Sequence, residues 1–258
     1  MSLLLKAIVQ HNIKCVSAQC YGGLMSLLVL TRPYSQSLSF SEALTSSGVA
    51  SEDIIIDPIL RIEPATPIKK LKHFKSIILT SSNALKHLPP YLVGSRLPAF
   101  CAGNSTTEAA ILHGFLAKCL GETATELCNA LLQSPLPGPV AYLCGDYITL
   151  DFEELFRGSK LSVENIICYR QISGKLRMAT IKVLNDKKGS IVPVFSQRSA
   201  RLLCEQGLNW NDHCAVSISK NTAEICKKAG FGQTIVAAHP SAQSMLAAIT
   251  SLIELTNG

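Results

Sequence analysis

The sequence has 258 residues, of which 47% are hydrophobic and 16% charged, and its formal net charge is +6 at pH 7. This composition excludes an intrinsically disordered chain and is sufficient for one large or two modest domains. The mildly basic balance favours an anionic partner. It does not favour nucleic acid, because the densest basic run, at 69–75, is short and lacks a supporting motif.

Residues 1–24 carry two lysines and no acidic residue. They lack the arginines and the small-residue cleavage pattern of targeting peptides, and no apolar run of the chain reaches the roughly 18 residues of a membrane span. We therefore expect 1–24 to be an N-terminal extension outside the fold, with the fold beginning at Met25. We expect no membrane association.

The first predicted elements are a strand at 27–30, a turn with Arg32, an amphipathic helix at 39–48 and a strand at 54–56. A longer set follows at 76–115: strand, hydroxyl-rich turn, helix, strand, hydroxyl-rich turn, helix. The alternation of strands with helices is typical of parallel sheets with crossover helices.

Both sets recur later in the chain, the first at 140–172 and the second at 190–231. A unit of about 115 residues is thus written twice. Proline-rich residues 58–67 and the segment QISGK at 171–175 follow matched strands and indicate two connections between domains. Because the short strands are mostly aliphatic, as in sheets that are buried on both faces, we predict an α/β fold with two parallel-sheet domains.

Four turns place small hydroxyl or amide side chains where a predicted strand ends and a helix begins. They lie at 80–83, 103–107, 196–199 and 217–222. Such positions attract anions in α/β folds, because the backbone N–H groups of a helix N-terminus point outward there. Each turn also fits a simple N-cap, so this alternative stays open.

Familiar catalytic motifs are missing from the sequence. The ten cysteines are scattered through apolar runs without a CxxC motif, as in reduced cytosolic proteins, and the six histidines show no metal-ligand spacing. Neither a Gly-rich phosphate loop nor a GxSxG motif occurs. We expect no metal and a reaction that depends on positioning.

Several segments carry a resemblance that covers Met25 to the end. They are VLTRP at 29–33, IILTSSNAL at 77–85, AGNSTTEAAILHGF at 102–115, CYRQ at 168–171, VFSQRSARLL at 194–203, and SISKNTAEICKKAGF through AAHPSAQSML at 217–246. In this order and spacing the chain resembles the uroporphyrinogen-III synthase family. Enzymes of that family close the linear tetrapyrrole hydroxymethylbilane into the uroporphyrinogen III macrocycle.

The resemblance implies two Rossmann-like or flavodoxin-like parallel-sheet domains that are joined by a two-stranded β-ladder and separated by a cleft. Domain 1 would comprise 25–59 and 173–258, and domain 2, inserted into it, 63–168. The resemblance also implies no cofactor and a tetrapyrrole substrate with eight carboxylates. We further expect a cytoplasmic monomer that makes transient contact with the enzyme producing hydroxymethylbilane.

The family's reaction loses the hydroxymethyl hydroxyl as water, passes through an azafulvene and a spiro intermediate, and recloses the ring with ring D inverted. The family's recurrent tyrosine falls on Tyr169, which would be the catalytic residue that hydrogen-bonds to the departing hydroxyl. A tyrosine that simply packs at a strand end is the alternative for this position.

The same motif matching assigns substrate binding to six of the turn residues. We expect it also of Asn83, Ser105 and Ser219 in the same turns and of Arg32, which follows the first strand and would pair with a carboxylate. The turn residues are Ser81, Ser82, Asn83, Ser105, Thr106, Ser196, Ser199, Ser219 and Thr222. One position departs from the family pattern. The family commonly carries an arginine before the glycine at 145, whereas this chain has Cys144 there and Asp146 just after, so the sequence does not support an anion contact at this turn.

Two other functions fit the same pattern. A bilobal small-anion binding protein, similar to a periplasmic receptor, also has two α/β lobes, although it would normally carry a signal peptide. A regulatory module with a degenerate synthase fold would keep the architecture without catalysis. The uroporphyrinogen isomer formed from hydroxymethylbilane distinguishes these alternatives from the enzyme.

Overall fold

The computed structural model describes residues 27–65, 71–134, 136 and 138–257. Its contacts divide the described residues into two compact units: those within Met1–Arg61 and Ser173–Gly258 form unit 1, and those within Ile62–Ile172 form unit 2. The predicted N-terminal extension at 1–24 lies outside the described residues.

The described strands and helices alternate along most of the chain. The strands are β1 (Leu28–Leu30), β2 (Ile54–Ile56), β3 (Leu60–Pro64), β4 (Ser76–Leu79), β5 (Pro98–Ala102), β6 (Leu116–Gly121), β7 (Val140–Gly145), β8 (Val163–Ser173), β9 (Ile191–Val194), β10 (Cys214–Ser217) and β11 (Gln233–Val236). The α-helices are α1 (Tyr34–Ser46), α2 (Asn104–Leu112), α3 (Ala124–Gln133), α4 (Phe152–Leu155), α5 (Met178–Asp186), α6 (Gln197–Cys204), α7 (Lys220–Lys228) and α8 (Ala242–Asn257). Short 3-10 helices occupy Ser51–Asp53, Ser82–His87 and Pro90–Leu92.

Unit 1 contains a five-stranded parallel sheet with the order β11-β10-β9-β1-β2. Strands β1, β9 and β10 are buried along their whole length because helices cover both faces of the sheet. Leu28 and Leu30 pack with α1 and α8 on one face, and Val29 packs with α5, α6 and α7 on the other. Successive side chains of each strand therefore enter opposite cores, as the period of two requires.

Unit 2 contains the second sheet, with the order β3-β8-β7-β4-β5-β6. Strands β4 to β8 pair in parallel, and β4 and β7 are fully buried. Ile77 and Leu79 enter the core beneath the 3-10 helix Ser82–His87, whereas Ile78 packs with α3 and α4 on the opposite face.

Strands β3 and β8 carry the chain between the units. The backbone amide of Gly174 donates to the Ile59 carbonyl at 2.8 Å, and that of Ala65 donates to the Cys168 carbonyl at 3.1 Å. From Ile59 to Ala65 the residue numbers rise, whereas those of their partners fall from Gly174 to Cys168, so this pair is antiparallel. It corresponds to the predicted two-stranded ladder.

The duplication explains how the sheets are assembled. Unit 1 combines β1 and β2 from the first copy with β9, β10 and β11 from the second, and unit 2 combines β7 and β8 from the second copy with β4, β5 and β6 from the first. Matched strands occupy matched places in the two sheets. The predicted α/β class with two parallel-sheet domains is therefore confirmed.

Candidate functional site

Each sheet contains one topological switch point, where the chain leaves two neighbouring strands towards opposite edges of the sheet. In unit 1 this switch point lies between β1, whose chain continues to β2 on one side, and β9, whose chain continues to β10 on the other. Ligands of open α/β sheets bind outside the carboxyl ends of the strands at such points. Arg32 follows β1 and Phe195 follows β9, so both lie at the switch point of unit 1.

Arg32 lies against an aromatic ring there. Its Cζ atom is 3.9 Å from the centroid of the Phe195 ring, and the edge of the Phe40 ring packs on Phe195 with the centroids 4.9 Å apart. Burial lowers the pKa of Arg32 to about 10, so the guanidinium remains charged at neutral pH. Among the residues that the structure describes, no carboxylate forms an ion pair with it.

Three helices of unit 1 begin with the same pair of hydroxyls. Ser196 caps α6 and Ser219 caps α7, and each hydroxyl oxygen accepts a hydrogen bond from the backbone amide three residues later, at 3.0 Å and 3.3 Å. The side chains of Ser199 and Thr222 bond to these caps at 2.9 Å and 3.0 Å. Ser196 and Ser219 are therefore N-caps, as the alternative interpretation of these turns predicted. The first backbone N–H groups of each helix lie at the carboxyl edge of the sheet.

The third helix of this kind was missed by the sequence analysis. The Ser241 hydroxyl accepts from the Ser244 amide at 3.2 Å and donates to the Ser244 hydroxyl at 3.2 Å, directly before and within α8. Since β9, β10 and β11 are adjacent, the three caps follow neighbouring strands. The spacing Ser-x-x-Ser/Thr, common to all three, is the signal that could have found it.

The exposure of these hydroxyls differs. Ser196 is exposed and Ser219 is half-buried, but Ser199 and Thr222 are only 8% and 1% exposed. The buried pair supports the caps and contributes little surface to a ligand.

Unit 2 has its switch point between β4 and β7. Ser81 follows β4 and caps the 3-10 helix Ser82–His87, accepting from the Asn83 amide at 3.3 Å. The Ser81 side chain is also hydrogen-bonded to the hydroxyl of Tyr169, which is on β8 and only 6% exposed. Ser81 and Tyr169 are thus brought together, whereas Asn83 is buried and Ser82 half-buried.

Tyr169 is held from below by Gly145 at the end of β7. A Cβ atom at Gly145 would lie 2.6 Å from Tyr169 Cε2 and 2.8 Å from Cζ, so only glycine fits. Burial raises the pKa of the Tyr169 phenol, an effect that the Ser81 hydrogen bond opposes. The phenol is therefore protonated at neutral pH and can act as a hydrogen-bond or proton donor.

Asp146 has a structural role in the same turn. Its Oδ1 accepts from the Gln171 amide at 2.9 Å, and its own amide donates to the Tyr169 carbonyl at 3.0 Å. The register between β7 and β8 shifts between Cys144 and Gly145, and Asp146 satisfies the amide beyond that shift. This explains an acidic residue at a turn where the family pattern favours an arginine.

The turn at 103–107 opens α2 in unit 2. Gly103 is the N-cap, with φ 80°, so no side chain caps this helix. Ser105 is exposed, whereas Thr106 is buried. Of the predicted residues here, only Ser105 presents its side chain to solvent.

In the described ranges, no group of three or more His, Cys, Asp or Glu side chains could hold a metal ion. Within the same ranges, no helix has both the length and the apolar composition needed to cross a bilayer. The eight described cysteines are free, and burial raises the pKa of the Cys144 and Cys168 thiols to about 12. These thiols are not activated nucleophiles.

Comparison with known proteins identifies the family. The family model described as "Uroporphyrinogen-III synthase HemD" matches residues 39–247. The chain belongs to this family. No curated protein sequence matches the chain.

Solved structures show the same fold at low sequence identity. A uroporphyrinogen-III synthetase from Helicobacter pylori superposes with a TM-score of 0.63 at 18% identity, covering 88% of this chain and 100% of that one. A mutant uroporphyrinogen III synthase from Thermus thermophilus gives a TM-score of 0.51 at 13% identity, covering 89% of this chain and 100% of that one. Since the identities are low, these likenesses concern the fold, and the family rests on the match over 39–247.

Proposed function

We propose that this protein is a uroporphyrinogen-III synthase, a lyase that cyclises hydroxymethylbilane to uroporphyrinogen III with loss of water and inversion of ring D. The observation that carries the proposal is the family match over residues 39–247. The family match does not favour a binding or regulatory module without catalysis.

In the proposed reaction the hydroxymethyl hydroxyl accepts a proton and leaves as water, which gives an electrophilic azafulvene. A substituted pyrrole carbon attacks it, and the spiro intermediate fragments and recloses with ring D inverted. Ring closure releases one proton, so no net proton is consumed and the step needs no oxidant or reductant.

Tyr169 is the proposed donor to the departing hydroxyl. Its phenol is protonated, buried and oriented by the Ser81 hydrogen bond, and Gly145 keeps the ring in place. Positioned donors of this kind contribute about 10²- to 10⁴-fold to a rate.

Substrate binding is proposed to rest on carboxylate contacts in each unit. Arg32 supplies a charge without an acidic partner among the described residues, and a hydrogen bond to such a charge is worth about 1.5–3 kcal/mol. Each capped helix adds about 0.3–1 kcal/mol. Micromolar binding requires about 8 kcal/mol, so a substrate with many carboxylates suits these individually weak contacts.

The proposed turn contacts are the remaining predicted residues. They are Ser81, Ser82, Asn83, Ser105, Thr106, Ser196, Ser199, Ser219 and Thr222. We propose that two kinds of group face the ligand: the exposed side chains of this set, and the backbone amides next to its buried side chains. A cytoplasmic monomer and transient contact with the hydroxymethylbilane-producing enzyme belong to the same proposal, and the free thiols support the compartment.

The decisive experiment supplies purified hydroxymethylbilane and separates the uroporphyrinogen isomers after oxidation. We expect the type III isomer, at a rate above the spontaneous one. Formation of type I alone, at the spontaneous rate, would contradict catalysis and support a binding or regulatory module.

A second experiment tests the donor. Replacing Tyr169 with Phe removes the phenolic hydroxyl and should lower kcat by about 10²- to 10⁴-fold, with a smaller effect on KM. Tyr142→Phe is the matched control, because its buried hydroxyl bonds at 2.8 Å to Thr80, which directly follows β4, and the proposed mechanism gives it no part. Full turnover by Tyr169→Phe would remove this residue from the mechanism.

A further inference from the structure

The packing around Arg32 shows how its charge is held. Strands β1 and β9 pair with Leu28 opposite Ile191, and the same register continued past both strands places Arg32 opposite Phe195. The observed 3.9 Å between Arg32 Cζ and the Phe195 ring centroid agrees with that register. The contact therefore follows from strand pairing.

Two further contacts fix this arrangement before any ligand binds. The buried Phe40 ring of α1 makes a T-shaped contact with Phe195 at an interplanar angle of 83°. The fully buried Ser37 hydroxyl donates to the Arg32 carbonyl at 2.9 Å. Both the backbone and the head group of Arg32 are thus tied to the core of unit 1.

A charged guanidinium is costly to bury without an anionic partner, and ordinarily an acidic side chain provides one. Among the described residues, Arg32 has only the face of Phe195. A guanidinium in contact with a ring face uses none of its N–H donors in a hydrogen bond there, so a carboxylate can accept two of them. Contact with a desolvated ring face also compensates part of the lost hydration.

We propose that Phe195, supported by Phe40, is a positioning residue that holds the Arg32 guanidinium ready for one carboxylate of the substrate. This inference rests on the proposed function and deepens it, because it names the group that makes Arg32 a carboxylate receptor. Phe195 acts through Arg32 and does not touch the reacting atoms. It therefore affects the binding of the substrate and not the chemical step.

The kinetic test compares Phe195→Leu, which removes the ring but keeps an apolar side chain, with Phe195→Tyr, which keeps the ring. We expect Phe195→Leu to raise KM about 2- to 30-fold with kcat little changed. Phe195→Tyr should have the KM of the parent protein. In an Arg32→Met background, Phe195→Leu should have no further effect on KM. An unchanged KM, or the same KM increase in both backgrounds, would overturn the proposal.

Phe231→Leu is the matched control. Phe231 is a buried phenylalanine of the same unit that stacks on Trp210 with the ring centroids 4.5 Å apart. Its replacement should lower the thermal melting temperature without changing KM. If both variants raised KM equally, the effect would be one of stability and the inference would fail.

A binding experiment separates this inference from the proposed function. Benzenehexacarboxylate is the probe, titrated into the full chain by calorimetry. We expect it to bind the parent protein, to bind Phe195→Leu more weakly, and to bind Arg32→Met at least as weakly as Phe195→Leu. A parent protein that binds the probe but forms only type I isomer would contradict the proposed catalysis and leave the proposed carboxylate site at Arg32 intact. A parent protein that does not bind the probe would overturn the carboxylate site itself.

Discussion

Tyr169 and Gly145 show how strongly a single residue of this chain constrains its neighbour. The ring lies where a side chain at 145 would have to be, and its hydroxyl bonds to Ser81 across the sheet edge. The buried ring cannot move inward, because protein cores are close-packed. Glycine at 145 therefore sets the place of the phenol.

Replacing Gly145 with Ala should displace that ring. The added methyl group would meet Tyr169 Cε2 at 2.6 Å, and such overpacking costs about 1–3 kcal/mol of stability. Because the hydroxyl would move away from Ser81, we expect kcat in the isomer assay to fall about ten- to a hundredfold. Gly174→Ala is the control, since its Cβ would meet nothing closer than 3.9 Å. Unchanged kcat in Gly145→Ala would show that the ring position does not matter.

At the scale of the elements, one ion pair joins the ends of the segments that leave and re-enter unit 1. Asp57 follows β2, is 3% exposed, and accepts from the Arg177 amide at 2.8 Å and from Arg177 Nε at 3.0 Å. The same guanidinium donates to the Ile56 carbonyl at 2.8 Å. Arg177 is also the N-cap residue of α5, so the pair fixes the start of that helix against the end of β2.

Arg177→Met should destabilise unit 1. It would leave the buried Asp57 carboxylate with only the backbone amide, and we expect a loss of about 1–3 kcal/mol in the free energy of unfolding. Urea unfolding followed by tryptophan fluorescence measures this in unit 1 alone, because Trp210 is the single tryptophan of the chain. Lys182→Met, which breaks an exposed pair with Asp186 in α5, should change stability by less than about 0.5 kcal/mol. Equal losses in both variants would contradict a special role for Asp57.

The same pair marks the limit of what the sequence could predict. Strands, helices and cap turns follow from local patterns of apolar and hydroxyl residues, so Ser196 and Ser219 were found at helix starts. The contacts of Arg32 with Phe195 and of Arg177 with Asp57 join residues far apart in sequence and depend on which strands are neighbours. The choice of Tyr169 came from the family resemblance, because no local pattern distinguishes it from other strand tyrosines.

At the scale of the whole molecule, the two copies have kept one topology and changed its chemistry. The repeat register matches Arg32 with Gly145 and Phe195 with Ser81. The switch point of unit 1 therefore carries a cation on a ring, and that of unit 2 carries a hydroxyl pair with Tyr169. Duplication supplied two similar sheet edges, and substitution at matched positions gave a charge on a ring at one edge and a hydroxyl group at the other.

The two copies also differ in a residue near the core of each unit. His213, buried before β10 with its ring 5.9 Å from Trp210, matches the apolar Leu97 before β5 in the other unit. Burial lowers the pKa of His213, and the Leu184 carbonyl and Asp212 only partly oppose this. An unfolded histidine has a pKa of about 6.5, so below that pH the unfolded chain binds more protons than folded unit 1 does.

The contribution of His213 to stability is therefore complete above about pH 6.5 and is lost as the pH falls through the lower pKa of the folded state. We expect the free energy of unfolding of unit 1, measured in urea by Trp210 fluorescence, to decrease between pH 6.5 and 5. His213→Leu, which copies Leu97 of the other repeat, should make that decrease shallower. His239→Leu, an exposed histidine of the same unit, should leave it unchanged. A His213→Leu variant with the parent's pH dependence would show that the acid sensitivity of unit 1 comes from other groups.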